Sequence, residues 1–140
     1  MKLSHVKNNI HWESAYKAIE AAQKHASKLN VPITVAIVDS GGNLMSLLRS
    51  NDGPYLSINI AIDKAYTAAS FSVSTSDWKD ILPKDSMLRD SILNRDRFVA
   101  FGGGIPIMLD GECIGAIGVS GASEEQDEEC AQAGLNAIIN

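Results

Sequence analysis

From residue 12 to about residue 29, apolar side chains recur three and four positions apart: Trp12, Ala15, Tyr16, Ile19, Ala22, Ala26 and Leu29. A helix turns about 100° per residue, so this spacing gathers them into one stripe and predicts a core-facing helix. Pro32 blocks simple continuation. Ile33-Thr34-Val35-Ala36-Ile37-Val38 is β-branched and almost wholly apolar, the pattern of a central strand covered on both faces. Asp39-Ser40-Gly41-Gly42-Asn43 reads as a turn, because glycine and asparagine tolerate positive φ, and Leu44 to Arg49 returns as the second strand of a hairpin.

After the breaker Asn51-Asp52-Gly53-Pro54, a second helix is predicted from about Leu56 to Phe71, with Ile58, Ala61, Ile62, Ala65 and Ala69 on one side. Its small residues imply close packing. Ser74 to Arg97 is polar, mixed and interrupted by Pro83; it predicts two short helices, acting as a lid or as a surface excursion. Phe98 to Phe101, Ile105 to Leu109 and Cys113 to Val119 read as three antiparallel strands, with a hairpin turn at Asp110-Gly111. Ser123 and Gln126 stand at capping-box spacing, opening a last helix that runs to about Ile139. No internal repeat and no linker divides the order, so residues 1–140 are read as a single α+β domain.

Composition narrows the partners. The chain is 45% hydrophobic and 21% charged, with a net charge of −5. That sign repels phosphate backbones and anionic lipid, and no Lys/Arg cluster offsets it, so neither nucleic acid nor a membrane surface is expected. The longest apolar runs are a few residues, whereas spanning a bilayer takes about 20 as a helix. The first residues carry positive charge without a following apolar stretch, unlike a secretory signal; a cytoplasmic location is expected. Cys113 and Cys130 sit in no CxxC or CxxCH arrangement and are read as free thiols.

Three segments carry a resemblance. They are Val35-Ala36-Ile37-Val38-Asp39 with Gly42; Lys64-Ala65-Tyr66-Thr67-Ala68; and Phe101-Gly102-Gly103-Gly104-Ile105-Pro106-Ile107 with Ile114 to Gly121 and Glu125-Gln126-Asp127. Over nearly its whole length the chain resembles the GlcG/HbpS-like family, which includes the C-terminal domain of PduO-type proteins. The resemblance implies a profilin-like fold with a five-stranded antiparallel sheet and helices packed on it, matching the count of two plus three strands. It also implies a homo-oligomer that binds a small molecule or tetrapyrrole, with haem or a corrinoid as the candidate cofactor. One departure stands out. The family's Arg-Met-Asp-Gly-Ala-Pro is here Arg49-Ser50-Asn51-Asp52-Gly53-Pro54, with the Asp-Gly pair shifted by one.

Several residues would carry chemistry. Gly102-Gly103-Gly104 removes side chains between two strands, either so that something can approach the backbone closely or for a bulge or a helix-on-sheet contact. Arg49 and Lys64, in successive elements and in the family-matching segments, would form an anion site for a carboxylate or haem propionate; internally paired charges are the alternative. At the last helix Glu124 and Asp127 either complement the helix dipole or, if burial raises a pKa, act as general bases. A haem iron would need an axial donor among His5, His11, His25, Tyr55, Tyr66 and Met108, of which His25, beside the apolar stripe, is the first candidate. No zinc spacing and no Gly-x-Ser-x-Gly elbow appears. Three functions remain open: a cofactor-binding accessory, storage or sensing protein; an isomerase, hydratase or lyase acting on a small carboxylated metabolite; and a structural subunit without ligand.

Overall fold

The computed structural model describes residues 1–139. The first helix, α1, spans Trp12–Leu29, and Asn30 closes it in the left-handed conformation, its N–H returning to the carbonyls of Ala26 and Ser27. Strands β1 (Thr34–Asp39) and β2 (Leu44–Arg49) follow as a hairpin, then α2 (Leu56–Phe71). Short helices α3 (Trp78–Ile81) and α4 (Ser86–Ile92) occupy the polar excursion. Strands β3 (Gly104–Leu109) and β4 (Glu112–Ser120) and helix α5 (Glu124–Asn136) complete the order. Ser123 and Gln126 form both halves of the capping box of α5.

The sheet is antiparallel with strand order β2-β1-β4-β3. On one face Val35, Ile37, Ile105, Ile107, Ile117 and Val119 pack against Ala15, Ile19 and Ala22 of α1 and Cys130 and Ala131 of α5. On the other, Val38 and Ala116 meet Ala65, Ala68 and Ala69 of α2. The small residues of α2 matter because its backbone rides directly on β4: a Cβ at Gly118 would collide with the Ala61 carbonyl oxygen.

The expected sheet of five strands is corrected to four. Residues Phe98–Phe101 form no strand. Their backbone is committed elsewhere: the Thr67 hydroxyl donates to the Arg97 carbonyl (2.9 Å) and accepts the Val99 N–H (3.2 Å). Phe98 then turns into an aromatic cluster, edge-on to Trp78 at 5.0 Å and to Phe71 at 6.3 Å. A side chain of α2 has taken the hydrogen bonds that a ladder would need, and β3 becomes the sheet edge.

Candidate functional site

Lys64 is fully buried on α2, and its Nζ donates to the Val119 carbonyl (2.9 Å) and to Oδ2 of Asp127 (3.0 Å). Asp127, 3% exposed, also accepts the Ala122 N–H on Oδ1 (2.9 Å). The Phe101 ring covers the ammonium at 4.6 Å, a cation–π contact. Burial pulls the Lys64 pKa below its ordinary value, and Asp127 opposes that pull. Burial likewise raises Asp127, against the attraction of Lys64. Each group supplies what the other lacks in a low-dielectric setting.

The triple glycine lies on this pair. Gly103 has φ +126°, and a Cβ there would strike the Val119 carbonyl oxygen and come within 2.8 Å of the Lys64 Nζ. At Gly104 a Cβ would stand 2.5 Å from the Lys64 carbonyl oxygen. The Gly102 N–H donates to Glu124 Oε1 (2.8 Å), and the Gly104 N–H to the buried Thr75 hydroxyl (2.9 Å). The close approach is therefore made by the protein's own lysine.

The other sequence candidates are dispersed. Arg49 does not join Lys64: its Nη1 donates to the carbonyls of Ser50, Asn51 and Gly53 (3.2, 3.0 and 2.8 Å) and its guanidinium stands 5.0 Å from the Tyr55 ring centre. It organises the turn that carries the shifted Asp52-Gly53 pair. His25 Nε2 lies 2.7 Å from Glu129 Oε1, linking α1 to α5 on the sheet face opposite α2.

A second feature went unread in the sequence. A groove of about 430 Å³ runs along the C-terminal half of α2 and is closed by α4 and the chain that follows it. Its apolar walls are Tyr66, Phe71, Leu88, Ile92 and Phe98, and Phe71 is half exposed. Trp78 backs the wall, edge-on to both Phe71 and Phe98 at 5.0 Å, its indole N–H buried without a partner. Arg95, Asp96 and Arg97 line the groove at its charged side. The Arg97 guanidinium lies 3.5 Å from the Tyr66 ring centre and its Nε donates to Asp63 (3.2 Å). The available signals were Tyr66-Thr67, inside a segment already singled out, and the alternating Arg95-Asp96-Arg97.

Residues 10–136 match the family model described as haem degrading protein HbpS-like. The chain belongs to the HbpS-like family. Among its HbpS-like relatives, an uncharacterized 15.0 kDa protein from the dhaT-dhaS intergenic region of Citrobacter freundii is 38% identical over 126 residues, covering 89% of each chain. A crystal structure of a PduOC:heme complex superimposes with a TM-score of 0.86 at 32% identity, covering 93% of this chain and 95% of that one. HbpS of Streptomyces reticuli, as a double mutant, gives 0.89 at 31% identity, covering 98% and 92%. Among the described residues, no helix of this HbpS-like chain is long and apolar enough to cross a membrane.

Proposed function

We propose that this protein binds haem or a related tetrapyrrole non-covalently in the groove beside α2, as an accessory, storage or sensing protein. The observation that carries the reading is the groove itself: apolar walls with two arginines beside them, on a chain of net charge −5. Its volume lies within the ordinary range of small-molecule sites. Membership of the HbpS-like family and the heme complex of a homologous domain support the choice of ligand.

The lining fits a tetrapyrrole in part. Phe71, Leu88, Ile92 and Phe98 would hold the apolar macrocycle, and the arginines its carboxylates. The described lining offers an iron oxygen ligands only, the hydroxyls of Tyr66, Thr67, Ser70 and Ser91 and the Asp96 carboxylate, and no imidazole, thiol or thioether. Of those hydroxyls, Thr67 and Ser70 are already hydrogen-bonded within the fold, to Arg97 and Tyr66. Bound haem would supply a redox-active iron; the chain's own part is to bind and orient the ring. The acid/base alternative on a carboxylated metabolite draws less support, because Asp127 is enclosed with both oxygens engaged, Glu124 holds the Gly102 N–H, and Arg49 and the buried Lys64 do not come together as a substrate site.

Self-association belongs to the same proposal. The edge strand β2 presents Leu44, Met45 and Leu48 at 50%, 39% and 46% exposure, apolar surface that a second copy would cover. Light scattering on a size-exclusion column is expected to give a mass above 15.0 kDa.

The test is a haemin titration followed by absorbance, with wild type and Ser91→Trp, which places an indole in the groove from its exposed α4 side. A saturable Soret shift in the wild type, lost in the variant, is the expected result. An unsaturable shift in the wild type overturns the reading.

A further inference from the structure

Arg97 is held in a conformation that L-residues with side chains seldom adopt, φ +68°. Thr67, 1% exposed, imposes it by bonding the Arg97 carbonyl on one side and the Val99 N–H on the other. The consequence is a guanidinium lying on the Tyr66 ring and locked through Nε to Asp63, which leaves its two Nη groups without a protein partner among the described residues. The Arg95 guanidinium also has no protein partner among them. Asp63 balances Arg97 through Nε and Asp96 stands in the lining beside the two arginines, so what remains for a ligand is the Arg95 guanidinium and the two free Nη groups of Arg97.

We propose that Arg95 and Arg97 form a carboxylate clamp, and that the groove selects flat apolar ligands bearing carboxylates on one edge. The clamp rests on the groove-binding reading above. A guanidinium presents paired N–H donors that match the two oxygens of a carboxylate, and a pre-oriented one loses less freedom on binding. Arg97 is the fixed jaw, because its backbone, ring contact and Nε are all engaged. Arg95, exposed and unpaired, is the adjustable one. The apolar body of the ligand then lies against Phe71, Leu88, Ile92 and Phe98, with its acidic edge at the arginines.

The experiment compares metal-free protoporphyrin IX with its dimethyl ester, by fluorescence titration of the full chain. Iron ligation is absent from both, and only the carboxylates differ. Wild type is expected to bind the free acid at least about tenfold more tightly than the ester, the scale of one charge-assisted hydrogen bond. Arg95→Ala, which removes no hydrogen bond or ion pair among the described residues, and Arg97→Ala are each expected to erase most of that preference, with circular dichroism showing a retained fold. Ester and acid binding equally, or Arg95→Ala and Arg97→Ala both keeping the preference while Ser91→Trp abolishes binding, overturns the clamp and leaves the groove. Binding untouched by Ser91→Trp overturns the groove reading, and the clamp with it.

Discussion

Lys64 Nζ and Asp127 Oδ2, 3.0 Å apart and both buried, tie α2 to α5, two helices that lie on opposite faces of the sheet. The pair is a buried electrostatic joint between the two helical layers. Removing one member leaves an uncompensated charge in a medium that solvates it poorly. Lys64→Met and Asp127→Leu, taken singly, are each expected to lower the unfolding free energy by about 3–5 kcal/mol. The double variant should lose less than the sum, as read by a urea double-mutant cycle. Additive losses would show that the two charges do not sense each other.

Glycine at 103 is expected to be irreplaceable, and glycine at 111 is not. Gly103→Ala meets the Val119 carbonyl and carries φ +126°, so both backbone and contact resist it. Gly111→Ala, at φ +80° with nothing within 4 Å, pays the conformational term alone, about 1 kcal/mol. Thermal melts of the two variants should separate widely, with the first showing little folded protein.

Cys130 gives a pH dependence with a definite sign. Its buried thiol is pushed up to about 11, from 9.0, because burial disfavours the thiolate. The folded state therefore holds the proton through the interval in which the unfolded chain releases it. The stabilisation is complete below pH 9 and disappears as pH rises through 11. The stability difference between wild type and Cys130→Ala should narrow by about 3 kcal/mol over that interval. A difference that stays constant would place the thiol's pKa at its ordinary value.

His25 is predicted to be dispensable for ligand binding. It sits across the sheet from the groove and is paired with Glu129 at 2.7 Å on a partly exposed surface. His25→Ala should change stability by no more than about 1 kcal/mol and leave the haemin titration unaltered. Loss of the Soret shift in this variant would move the site to the α1–α5 face.

Local periodicity and turn chemistry were enough to read α1, the β1–β2 hairpin, α2, the Asp110-Gly111 turn and the capped start of α5, because each depends on neighbours a few residues away. The Phe98–Phe101 strand failed for the opposite reason. Its apolar residues suit a ladder, yet Thr67, some thirty positions earlier, bonds the Arg97 carbonyl and the Val99 N–H. The candidate residues divide along the same line. Residue types and motif single out Lys64, Asp127 and the triple glycine, though for ligand chemistry rather than for one another. That they neutralise and cover one another was decided only when β4 brought Val119 to Lys64 and the turn after it brought Ala122 to Asp127. Consecutive elements pair Arg49 with Lys64 on sequence grounds, but three carbonyls of its own turn satisfy Arg49. Of the groove the sequence carries only Tyr66-Thr67 and the alternating Arg95-Asp96-Arg97, since its walls come from the far end of α2 and from a polar segment without periodicity. By itself the sequence determined which elements form and which residue types stand ready for chemistry. Tertiary structure alone decided which charges are spent on each other and which donors, on Arg95 and on the Nη groups of Arg97, are left at a groove, because pairing depends on distances that only packing sets.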